Sequence, residues 1–101
     1  MSEKKPVASD GGSSSYYDLA LPDWLIDLII DRGNDGDAFV KTEELIEVLF
    51  KNDYDFGCSF KALVRARGAF DGGGKLGNSV EYDCTKVRYY SDKIKEKSKR
   101  T

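Results

Sequence analysis

The sequence predicts an all-α fold, and three observations carry that expectation. Apolar residues recur at helical spacing in four separate segments, and proline, glycine and Asx residues punctuate the boundaries between them. No segment shows the convincing apolar/polar alternation of a half-buried strand. The expected architecture is a small single domain of about four short helices with a glycine-rich loop between the last two. Its 101 residues, 40% hydrophobic, suit one core and leave room for one site. No internal repeat is evident.

Residues 1–15, MSEKKPVASDGGSSS, have almost nothing apolar to bury and predict a disordered tail. The helical domain is expected over 16–97, with a basic tail at 98–101. Leu21-Pro22-Asp23 opens the first helix, since proline and acids suit a first turn. Trp24, Leu25, Leu28 and Ile29 make its apolar face and Gly33-Asn34 ends it. DGDAFVKT is turn material with room for a short extended piece. Thr42 caps a second helix whose Leu45, Ile46, Leu49 and Phe50 share a face, terminated by NDYDFG. A third helix is expected from about Cys58 to Arg67, burying Phe60, Leu63 and Val64 and stopped by Gly68. On it Lys61 and Arg65, four apart, lie on a shared side. The fourth runs from Val80 or Glu81 into the lysine-rich end, with Val80, Cys84, Val87 and Ile94 as its stripe.

The net charge of −2 conceals a division. Residues 16–57 hold eleven acids against three bases, a net of −8, whereas residues 58–101 hold eleven bases against five acids, a net of +6. Such a division suits an acidic part of one subunit meeting a basic part of another, a basic face for a phosphate-bearing ligand, or simply solvated helix faces. An isoelectric point near 5.1 argues against nucleic acid as partner. No apolar run approaches a membrane span, no signal-type segment is present, and the two cysteines, Cys58 and Cys84, read as free thiols of a reducing compartment and as small buried hydrophobes. With no histidine, the chain offers neither an imidazole base nor a tetrahedral zinc set.

Gly72 to Lys75, GGGK, invites comparison with a phosphate-binding loop, which needs a glycine, four residues, then Gly-Lys and a hydroxyl residue. Ala69 stands where the first glycine belongs and Leu76 where Ser or Thr is required, and no apolar strand precedes. The run reads as a flexible turn between two helices.

The last two helices carry a resemblance. Gly57, Lys61 and Arg65 fit a G-N-x-x-K-Y-x-x-R pattern, and Asp83, Lys86, Tyr89, Tyr90 and Lys93 fit D-L-x-K-A-x-W-Y-L-x-R. Over about residues 54–96 the chain resembles the SaV-like family of small bacteriophage proteins, labelled nucleotide kinase-like. Cys58 stands at the pattern's asparagine, Ala62 at its first tyrosine, Tyr89 at its tryptophan and Lys93 at its final arginine. The resemblance implies a phage-encoded helical protein, often an oligomer, connected with nucleotides and placed in the cytoplasm of the infected host cell.

These residues define the candidate ligand site. Lys61, Arg65, Lys86 and Lys75 are expected to converge on phosphate, with Tyr89 beside them as a stacking or packing platform. Arg65 has a second reading, an ion pair with Asp83 that joins the two motif helices. Asp83 could likewise hold Mg2+, which would enter only with phosphoryl transfer. Two functions follow. One is binding of a nucleotide or other phosphate-bearing molecule, with at most weak kinase activity, because phosphoryl transfer asks mainly for positioning and charge neutralisation. The other is binding to a host protein through the acidic and aromatic helix surfaces, without catalysis.

Overall fold

In the computed structural model, residues 15–73, 77 and 79–100 are described; nearly all of the expected tail, and Lys75, lie outside them. A single 3-10 turn at Ser15–Tyr17 precedes four helices: α1 (Asp23–Asp35), α2 (Thr42–Phe50), α3 (Tyr54–Phe70) and α4 (Val80–Ser98). No strand occurs among the described residues, so the domain is all-α, as its periodicity predicts.

The helix starts follow local chemistry. Pro22 flanks α1 in an extended conformation, and its carbonyl accepts from Leu25 N–H at 3.1 Å. Glu44, three residues into α2, reaches back to accept from the Lys41 N–H at 2.8 Å, so Lys41, rather than Thr42, is the cap and Thr42 is the first helical residue. Asp53 caps α3 by accepting from Phe56 N–H at 3.0 Å, and Ser79 caps α4 by accepting from Tyr82 N–H at 3.0 Å.

Helix ends differ more from expectation. Gly33-Asn34 lies inside α1, which runs on to Asp35. The α3 helix begins four residues before Cys58 and ends at Phe70, so Gly57 and Gly68 are helical rather than terminators. Tertiary contact explains Gly57: a Cβ there would sit 3.0 Å from Ile46 Cγ2, so glycine lets α2 and α3 approach. The chain turns after α3 at Gly72, whose φ of +86° is open to glycine and costly for other residues.

α3 and α4 form the main packed unit, an antiparallel hairpin, and α2 lies against α3. The small residues Ala62 and Ala66 are buried along α3, with Ile46 of α2 and Leu25 of α1 completing the buried apolar set among the described residues. Phe50 joins α2 to α3 by packing on Phe56 and Phe60, with ring centroids 5.6 and 5.4 Å apart. Several expected core residues are outside this core. Trp24 and Leu28 on α1, Leu63 and Val64 on α3, and Cys84 on α4 are exposed, while Cys58 is half-buried. On α4 the expected Val80, Val87 and Ile94 are half-buried, and the stripe they share is completed by Asp83 and Tyr90 rather than by Cys84.

A candidate ligand-binding edge on the helical hairpin

Two stripes meet along one edge of the hairpin. On α3, Tyr54, Cys58, Lys61 and Arg65 are spaced four, three and four residues apart, which places them on one helix face. On α4, Asp83, Lys86, Tyr90, Lys93 and Lys97 are spaced three, four, three and four apart, a matching face. Because the helices run antiparallel, the end of one stripe lies beside the start of the other.

At one end of the edge Arg65 Nε donates to Asp83 Oδ1 at 3.2 Å. Asp83 is fully buried and the Arg65 side chain is one-third exposed, so the guanidinium neutralises a carboxylate that has left water. At the other end Lys97 Nζ lies 2.8 Å from Asp53 Oδ2 and 3.1 Å from Asp55 Oδ2. The ammonium holds the Asp53 carboxyl below its ordinary value, helped by the Phe56 N–H, and the two carboxylates, Asp53 foremost, raise the ionisation of Lys97 in return. The tip of α4 is thereby tied to the cap of α3.

Between these clasps sits an aromatic cluster. The Tyr54 and Tyr90 rings meet edge to face at 6.0 Å, and Tyr89 meets Tyr90 at 5.1 Å. Hydrogen bonding with Cys58 first, then with Tyr54, together with burial pushes the Tyr90 phenol well above its ordinary value, so it stays neutral and packs as a polar-tipped ring. Tyr89, on the neighbouring stripe, is half exposed and has the Lys93 ammonium 5.3 Å from its ring. It also lines an open hollow of about 360 Å³ with Asp55, Asp92, Lys93, Glu96, Lys97 and Arg100.

Lys61 and Lys86 occupy the level between the Arg65–Asp83 clasp and the tyrosine cluster. Neither forms a salt bridge with a carboxylate among the described residues. Lys86 Nζ rests 4.8 Å from the Tyr82 ring, and Lys61 is exposed.

Four of the five expected site residues therefore lie along or beside one edge: Lys61, Arg65 and Lys86 on the paired stripes and Tyr89 next to them. Lys75 falls outside the described residues. Arg65 takes the helix-pairing role with Asp83, and the same burial leaves Asp83 facing the guanidinium rather than solvent, where a magnesium ion would need it. Sequence reasoning missed the Lys97 clasp and the Tyr54–Tyr90–Cys58 cluster. Asp53 and Asp55 at the start of α3, with a lysine seven residues beyond Tyr90, carried the signal once the hairpin's antiparallel register is known. No protein-family model, curated protein or solved structure matches this chain.

Proposed function

We propose that this chain binds a nucleotide or other phosphate-bearing small molecule along the α3/α4 edge. The observation that carries the reading is the pair of lysines, Lys61 and Lys86, left without a carboxylate partner among the described residues, between two clasps whose own cations, Arg65 and Lys97, are each paired. Lysine acts here as a point charge for a phosphate group. The exposed Tyr82 and Tyr89 rings flank Lys86 by four and three residues along α4, close enough in sequence to share a helix side and offer a surface for a base. In this reading Arg65 is a positioning residue: it orders the hairpin, and phosphate contact falls to the lysines.

The resemblance of residues 54–96 to the nucleotide kinase-like phage proteins supports the same ligand class and supports a role as a phage accessory protein. Without a phosphate-binding loop, binding stands ahead of turnover, and weak phosphoryl transfer would draw on positioning and charge alone.

A panel of mono-, di-, tri- and cyclic nucleotides, with inorganic phosphate as control, tests this by thermal shift. A ligand present at 100 times its dissociation constant stabilises the fold by about 2.7 kcal/mol. Lys61→Ala and Lys86→Ala should each weaken that ligand by roughly 1.5–3 kcal/mol and leave the apo melting point nearly unchanged, because neither ammonium group pairs with a described carboxylate in the free chain. A flat panel would reject the ligand reading. It would favour the second one, binding to a host protein, for which α1 supplies the specific observation: Trp24, Ile26, Leu28 and Ile30 are exposed around Asp23, Asp27 and Asp31.

A further inference from the structure

Among the described residues of α4, the aromatic rings left exposed are Tyr82 and Tyr89, at 51% and 55%. They are seven residues apart, just short of two turns, so they stand on one side of the helix about 10.5 Å apart along its axis. Each ring has a neighbour that orients it. The Lys86 ammonium lies 4.8 Å from the Tyr82 ring, and the Tyr90 ring meets Tyr89 edge to face at 5.1 Å.

A pair of cations falls between the two rings. Lys86 is four residues beyond Tyr82 and three before Tyr89. The hairpin's register brings Lys61 to the same level: Arg65 meets Asp83 and Cys58 meets Tyr90, so the middle of residues 58–65 faces the middle of residues 83–90. Along the edge the order is ring, lysine pair, ring. A mononucleotide, with its base at one end and its phosphates at the other, would fill half of that.

We infer that the edge binds a dinucleotide, two nucleosides joined through phosphate, with one base on Tyr82, the other on Tyr89 and the bridging phosphates at Lys61 and Lys86. That assignment rests on the phosphate role proposed above for the two lysines and adds a second base to it. The order of groups matches, because a dinucleotide carries its bases at the ends and its negative charge in the middle. The spacing matches a splayed ligand: about 10.5 Å is three times the ~3.4 Å between stacked neighbours in a strand, so each base is free to lay a whole face on its own ring. The charge matches as well. Neither lysine forms a salt bridge with a described carboxylate, and Asp83 is buried against Arg65, so the bridge meets positive charge that the chain has not spent. Beyond Tyr89 the surface turns mixed, with Asp55, Asp92 and Glu96 among the cations, and a longer strand would gain little from it.

Isothermal titration of the full chain compares adenosine mono- and diphosphate with three dinucleotides: a 5′-phosphorylated 3′,5′-linked diadenylate, a 5′,5′-diphosphate-linked diadenosine and a cyclic diadenylate. All three present two bases across phosphate and differ in linkage, so the tightest of them identifies the linkage. At least one should bind roughly tenfold or more tightly than either mononucleotide, the scale on which a second stacked base contributes. Tyr82→Ala and Tyr89→Ala should each abolish that advantage, whereas Tyr82→Phe and Tyr89→Phe should keep it, since stacking uses the ring face and not the hydroxyl. Both rings are more than half exposed, so the circular-dichroism helix signal of all four variants should be unchanged. Mononucleotides bound as tightly as every dinucleotide would overturn the second base and leave the phosphate role of the lysines standing. A dinucleotide preference that survives both alanine variants would also overturn it, and no binding of any nucleotide would remove the phosphate role and the second base together.

Discussion

Two arginine–carboxylate pairs close two different corners of this molecule, and they differ in a way that separates bond quality from consequence. Arg32, near the end of α1, makes a bidentate contact with Glu44 near the start of α2, with Nη1–Oε1 at 2.8 Å and Nη2–Oε2 at 2.7 Å. Arg65 on α3 makes one longer contact, 3.2 Å, with Asp83 on α4. By geometry the first is the better bond. Yet Glu44 keeps 15% of its side-chain surface in water, whereas Asp83 keeps none. What a pair is worth on removal depends chiefly on the charge that is left behind, and a carboxylate with no access to solvent is the costlier remnant.

The largest expected effect therefore belongs to the poorer bond. Arg65→Ala leaves Asp83 buried without its guanidinium and should cost about 3 kcal/mol, more than about 10 °C in the melting point of a domain this size. Replacing both residues, Arg65→Met with Asp83→Ala, should recover part of that loss, because it removes the buried charge along with this counterion without overpacking the site. Chemical denaturation of the single and double variants measures both. A cost below about 1 kcal/mol for Arg65→Ala would mean that Asp83 is stabilised mainly from elsewhere and would erase the contrast between the two corners.

The two glycines of α3 repeat the contrast between buried and open settings with smaller stakes. At Gly68 an added Cβ meets nothing within 4 Å, so Gly68→Ala should stabilise by roughly 0.5–1 kcal/mol through helix propensity alone. At Gly57 the added methyl would lie 3.0 Å from Ile46 Cγ2, in the buried contact between α2 and α3. Overpacking there should outweigh the same propensity gain and leave Gly57→Ala destabilised by about 1 kcal/mol, with Ile46→Leu restoring part of the loss, because leucine has no Cγ2 branch at Cβ to meet the new methyl. Melting curves of the three variants decide it; Gly57→Ala as stable as Gly68→Ala would show that Ile46 yields freely.

The division between what the sequence reveals and what it hides follows the same line. Helix number and the starts at Asp23 and Val80 are legible because proline, serine and apolar periodicity act locally. Helix ends are not: Gly57 and Gly68 look like stops, but a glycine inside a helix costs only about 1 kcal/mol, and packing of α3 against α2 and α4 overrides it. Core membership fails for a related reason. Leu63 and Val64 have the right spacing for a buried face, yet α4 packs on the side of α3 bearing Ala62 and Ala66, and small residues carry little signal in an apolar pattern. At the candidate site, the spacing of Lys61 and Arg65 correctly gives a common face, while their different fates depend on Asp83, eighteen residues beyond Arg65 and reachable only through the hairpin's register.

The partly buried member of the comparison, which keeps some contact with water, should reveal itself through pH. Glu44 accepts from Arg32 and from the Lys41 N–H, and these contacts, the arginine foremost, lower its carboxyl from 4.5 to about 2. A carboxyl held below its ordinary value contributes stability that is fully present above 4.5 and is lost as the pH falls from there toward 2, since the unfolded chain takes up its proton first. Glu44→Gln retains an oxygen for the Lys41 N–H and removes the charge, so the difference between wild type and variant isolates the arginine pairing. Asp53, whose carboxyl Lys97 also lowers, is present in both proteins and cancels in the difference. The melting-point gap between them should be constant above about pH 5.5, narrow between 4.5 and 2, and approach its acid limit near pH 2. Because both side chains retain contact with water, raising the salt concentration should also shrink the gap at neutral pH, an effect the buried Arg65–Asp83 pair should resist. A gap that stays flat from about pH 6 to about 2.5 would show that Glu44 acts through its backbone cap alone, and the α1/α2 corner would then owe its closure to apolar burial rather than to charge.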